Sequence, residues 1–141
     1  MTVDYDLSRF VKAQEQAYEN ALMEIKAGKK SSHWMWYIFP QLKGLGKSST
    51  SLFYGLADKE EALEYLNHPV LGQRLLEITE ALLNVKNKTA FEIFGTPDYL
   101  KLKSCMTLFK LATPEESIFQ EVIDTYYMGY EDALTRIKLG L

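Results

Sequence analysis

Apolar side chains recur at steps of three and four over most of the chain, the period of helices that bury one face. Leu7, Phe10, Ala17, Ala21 and Ile25 form the first stripe, with Gln14 in its gap. Asp6 or Ser8 is expected to cap its start, and Gly28 stands where a left-handed end is needed. A second helix is predicted from Asp58, which forms a capping box with Glu61 ahead of Ala62, Leu63 and Leu66; His68-Pro69 closes it. Leu71, Leu75, Ile78, Leu82 and Val85 mark the next stripe, with Pro69 at its beginning. Thr89 with Glu92 predicts another capping box, for a short helix ended by Gly95. Thr96-Pro97-Asp98 and Thr113-Pro114-Glu115 each place a cap, a proline and an acid in order. They open helices that run to Leu111 and through Tyr127. Gly129 ends the latter, and Ala133, Leu134 and Ile137 suggest a last helix. The expectation is an all-α single domain over residues 1–141, with six to eight helices.

Residues 31–55 break this pattern. His33-Trp34-Met35-Trp36-Tyr37-Ile38-Phe39-Pro40 is aromatic throughout, and periodicity does not separate a short helix from a strand there. A helix capped by Ser31 or Ser32 is preferred, because a strand would have no partner. Gln41 to Ser51 then reads as a glycine- and serine-rich loop.

Length and charge narrow the function classes. A chain of 141 residues and 16.2 kDa has a folded surface of about 7,500 Å² and holds a core without disulfides. Sixteen basic residues face nineteen acidic ones, a net charge of −3, with no concentrated basic face. Binding to duplex nucleic acid is therefore not expected. Cys105 is the single cysteine, the first residues lack the pattern of a signal peptide, and no apolar run is long enough for a membrane span. A soluble, reduced, cytoplasmic protein is expected.

Several residues carry candidate chemistry. Gly46-Lys47-Ser48 mimics the end of a P-loop, but Gln41 occupies the place of its first glycine and no convincing strand precedes it. A looser reading is that backbone amides freed by Gly44 and Gly46 meet an anion together with Lys47; the alternative is a surface turn. His33 beside Trp34 and Trp36 would be a neutral base or donor if buried among the rings, or else a histidine bonded to backbone. No His or Cys pairs with it at ligand spacing, so neither a metal nor a cofactor is expected. Gln14 on an apolar stripe must find partners, either a ligand or a neighbouring loop. In the Thr96 helix, Asp98, Lys101 and Ser104 follow one face, and a lysine near a helix start is poorly placed unless it serves an anion or carboxylate. Cys105 reads as core. Trp34 or Trp36 can stack on a flat ligand, or both can pack in the interior.

The blocks Arg9-Phe10 with Ala13-Gln14, His33 to Gly46, His68-Pro69-Val70-Leu71-Gly72 with Arg74-Leu75, Phe94-Gly95 with Pro97-Asp98, and Lys101-Leu102 through Phe109 resemble a bacterial family. It is the domain-of-unknown-function family numbered eighteen-ten. The resemblance spans nearly the whole chain. It implies a mainly helical fold with recurring polar residues at Gln14, His33, Gln41, Asp98, Lys101, Ser104 and Thr107. Some members carry a calpastatin label, although calpain inhibitors are disordered repeats. In size, helix content and its early Ala-Gln pair the chain is also similar, more distantly, to NADAR (YbiA-like) domains, which are linked to ADP-ribose and riboside chemistry. Taken together, these readings suggest a pocket for a small, flat, anionic ligand such as a nucleotide or ADP-ribose derivative. Trp34 or Trp36 would stack, Lys47 or Lys101 would meet phosphate, and Gln14, His33, Gln41 and Ser104 would complete the lining. Hydrolysis at a glycosidic carbon would use His33 and Asp98. The alternative is a non-catalytic interaction module or homodimer docking through the aromatic cluster.

Overall fold

The computed structural model describes residues 5–141, and within them the chain forms nine helices. In order these are α1 (Ser8–Lys26), α2 (Met35–Ile38), α3 (Ser49–Tyr54), α4 (Lys59–Asn67), α5 (Leu71–Leu83), α6 (Ala90–Phe94), α7 (Asp98–Ala112), α8 (Ile118–Tyr127) and α9 (Ala133–Lys138). The all-α expectation holds. The count exceeds six to eight because the stretch expected to be loop ends in a helix of its own, α3, capped by the Ser48 side chain.

Helix α7 runs through the centre, packed against α4, α6, α8 and α9, while α1 lies along α5 and α2. Leu102 and the unbroken run Ser104 to Phe109 are buried on α7. A helix enclosed on several sides has no solvated stripe, which is why its apolar residues follow no clean period. The accessible surface, 7709 Å², matches that of one well-packed unit of this mass. None of the described helices is long and apolar enough to cross a membrane.

Local signals and structure agree where the partners are close in sequence. Thr89 and Glu92 form the full capping box. Asp58 accepts from Glu61 N at 2.9 Å, but the Glu61 carboxylate turns to Ala57 N at 2.7 Å and to Arg9 at 3.1 Å, so only half of that box forms. Four caps are placed differently, the first at α1, where Leu7 and neither Asp6 nor Ser8 holds the capping position. Thr113 Oγ1 donates back to the Phe109 carbonyl at 2.7 Å, leaving Ser117 at the start of α8 with no side-chain cap bond. Pro97, and not Thr96, stands at the start of α7. Ser31 N and the Ser32 N–H and hydroxyl groups are taken up by Glu24, so neither serine caps α2, which begins after Trp34.

The segment between α2 and α4 is tied at its base. Lys43 N donates to Leu56 O at 2.7 Å and Leu56 N to Gln41 O at 2.9 Å, a single parallel bridge. Between these ends the chain makes an excursion that carries α3 across the surface of α2.

Candidate functional site

A narrow cleft opens between α2, α3 and α7. Its walls include Trp36, Gln41, Ser51, Tyr54 and Lys101, and it leaves room for about one water molecule. Each wall has a local cause. Glu24, on the last turns of α1, accepts from Ser31 N at 2.6 Å, from Ser32 N at 3.0 Å and from the Trp34 indole Nε1–H at 3.0 Å. Burial alone would raise the Glu24 pKa; the Ser31, Ser32 and Trp34 donors outweigh it and lower it to about 2. That clamp fixes the entry into α2, and Trp36 follows from it. Gln41 is positioned by the backbone bridge, and Lys101 comes from the first turn of α7.

The electrostatics are unbalanced. Asp98 takes an ion pair from Lys30 at 2.8 Å, and Lys30 also donates to Ser32 O at 2.6 Å. Lys101 stands 3.6 Å from Asp98, beyond hydrogen-bond reach, and its ammonium lies 4.8 Å from the centroid of the Trp36 ring. Two ammonium groups thus face one carboxylate. Beside them the Trp36 Nε1–H is buried and has no acceptor among the described residues. A buried donor left unmade costs about 1–3 kcal/mol. The side chains that line the cleft carry several donor groups: the indole N–H of Trp36, the ammonium of Lys101, the hydroxyl of Ser51 and the amide of Gln41.

Of the residues expected to form a site, Trp36, Gln41 and Lys101 come together here, with Asp98 bordering them through Lys101. The others do not. Gln14 is sealed in the interior, where its Nε2 donates to Tyr37 O at 2.7 Å and Tyr65 OH at 2.9 Å. It braces the end of α2, and both of its donors are spent. Trp34 is buried, packed edge-on to Phe94 and tilted against Phe39, and has no open face for stacking. The Ser104 hydroxyl has two acceptors within reach, Leu100 O at 3.2 Å and the Asp132 carboxylate at 3.1 Å, and the second ties α7 to the cap of α9. His33 is exposed, not enclosed by the aromatic residues, and only its backbone carbonyl takes part in a hydrogen bond, from the Tyr37 hydroxyl. Lys47 is exposed on the loop ahead of α3. Burial pushes the Cys105 thiol up, as befits a core residue. Among the described residues no three His, Cys, Asp or Glu side chains gather as metal ligands do.

Sequence reasoning missed Glu24, Lys30 and Tyr54, and reached Ser51 only as one of the serine hydroxyls of the loop. Glu24 sits on the polar side of its stripe and reads as solvated. Lys30 meets Asp98 only through the tertiary fold, so no spacing could reveal the pair.

Comparison with known proteins gives a relative but no activity. The solved structure of the conserved hypothetical protein Rv1873 from Mycobacterium tuberculosis is 46% identical. It superposes with a TM-score of 0.95 over 97% of this chain and 98% of that one. No curated protein matches the chain. The family model described as protein of unknown function (DUF1810) matches residues 4–139, and the chain belongs to that family.

Proposed function

We propose that this protein binds a small oxyanion-bearing ligand in the cleft between α2, α3 and α7. The observation that carries this reading is the buried Trp36 Nε1–H, without an acceptor, beside the under-neutralised Lys101 ammonium. A carboxylate or phosphoryl oxygen satisfies both, occupying the space of one water molecule. Gln41 and Ser51 supply further donors at the same wall. The ring of Trp36 already carries Lys101 near its face, so the indole contributes its N–H and not a stacking surface. A nucleotide or ADP-ribose derivative would seat one phosphoryl oxygen here and leave its base outside.

The geometry supports binding over glycosidic hydrolysis. Asp98 is held by Lys30 and faces Lys101, and the His33 ring makes no hydrogen bond to it. A thermal-shift series with inorganic phosphate, acetate, AMP and ADP-ribose tests the reading. Ligand at a hundred times its Kd adds about 2.7 kcal/mol, which raises Tm by roughly 5–10 °C for a chain of this size. The rise should vanish in Lys101→Gln and persist in Lys47→Gln. No rise with any of the four compounds would refute it.

A second reading, self-association, rests on a different observation. Of the aromatic cluster expected to dock a partner, Trp34 and Phe39 are buried and Trp36 and Tyr37 half-buried, whereas Leu134 and Ile137, one turn apart on α9, are exposed together with Met128, Tyr130 and Leu141. Exposed apolar side chains at helical spacing fit an interface between copies. Sedimentation equilibrium should then show a dimer that Ile137→Lys weakens; a monomer at all concentrations removes this reading.

A further inference from the structure

We propose that residues 46–52, which include the first turn of α3, form a lid that must lift to admit a ligand to the cleft. The proposal rests on the anion-binding reading above and adds how that site is gated. Three observations carry it. First, α3 and Gly55 supply part of the cleft wall, through Ser51 and Tyr54, and the enclosed space has room for about one water molecule. Anything larger than a single oxygen enters only if that wall moves. Second, no residue of α3 is buried, so little apolar surface is lost when it departs. Leu52 and Phe53 already face solvent.

Third, the segment is held at its two ends and not between them. At its C-terminal end the Arg9 guanidinium donates to Phe53 O at 2.8 Å and Gly55 O at 3.1 Å, and is itself fixed by Glu61. Tyr54 packs on the rings of Phe10 and Tyr37, 5.8 and 5.3 Å away between centroids. The Leu42–Leu56 bridge closes the base. At the N-terminal end Leu45 packs against the core and Gly44 lies near the Lys138 side chain, but from Gly46 to Ser48 the contacts stay within the excursion: Ser48 Oγ accepts from Ser51 N at 3.1 Å, and Gly46 lies against the Ser51 side chain. Gly44 at φ +95° supplies a backbone conformation that lets this end fold back. The lid therefore lifts between Leu45 and Tyr54 as its fixed sides, and Ser51 leaves the cleft with it.

Hydrogen exchange on the full chain tests this with and without inorganic phosphate. In the free protein the amides of residues 49–53 should exchange at least about a hundredfold faster than those of Cys105 to Phe109 in α7. Gly46→Ala places a Cβ within 2.8 Å of Ser51 Cβ, wedging the lid, and should speed exchange across α3 several-fold. Ser48→Ala, an exposed change that leaves the core intact, removes the cap and should raise it about fivefold. Exchange in α3 as slow as in α7, or unchanged by both variants, overturns the lid. Fast, variant-sensitive exchange that phosphate, acetate and AMP all fail to slow supports the lid while removing the anion-binding reading.

Discussion

At the scale of single residues the two tryptophans separate structure from site. Trp34 is enclosed and hydrogen-bonded to Glu24, whereas Trp36 is half-buried and offers a donor that none of the described residues accepts. Trp34→Phe should cost about 2–3 kcal/mol in urea unfolding, from a cavity and a lost hydrogen bond. Trp36→Phe removes an unmade donor and should cost about 1 kcal/mol or less. Equal losses would show that both indoles are core. Glu24 gives a pH signature. Its carboxyl titrates near 2 in the fold against an ordinary 4.5, so its stabilisation is complete above pH 4.5 and is lost as pH falls through about 2. Glu24→Gln should flatten the decline of the urea midpoint over that window; a decline of unchanged slope would assign the acid sensitivity to other carboxylates.

Among the helices, legibility followed distance along the chain. The Thr89–Glu92 box joins neighbours three residues apart, and its two bonds form as the sequence predicts. The Thr113 cap failed because a hydroxyl has two choices, and the carbonyl of the preceding turn was as near as the N–H groups ahead. Ser31 and Ser32 were claimed by a carboxylate on another helix. Gln14 finds Tyr65 at a separation of 51 residues, a partnership that no pattern reveals. The junction of α4 and α5 is equally tertiary: a Cβ on Gly72 would overlap the Leu66 carbonyl oxygen. Gly72→Ala should therefore destabilise the protein by about 3 kcal/mol, because backbone must move to make room. A midpoint within error of the parent would mean that the two helices slide apart freely.

For the molecule as a whole, the fold was legible and the site only in part. Period and punctuation predict an all-α chain, and the chemistry of Trp36, Gln41 and Lys101 marks them in the sequence, although no spacing shows that they meet. Trp34 and Ser104 share those residue types but serve packing and a helix junction, a distinction made by burial and partners alone. The central claim is that a buried indole N–H and one lysine together receive an oxyanion. The chain has two tryptophans, so its indole N–H resonances form a two-signal spectrum. Titration with phosphate, acetate and AMP, followed by ¹H–¹⁵N NMR, should shift the Trp36 indole signal far more than that of Trp34. The shift should disappear in Lys101→Gln. Two indole signals that stay in place through the millimolar range, or a Trp36 shift that Lys101→Gln leaves intact, would contradict the account.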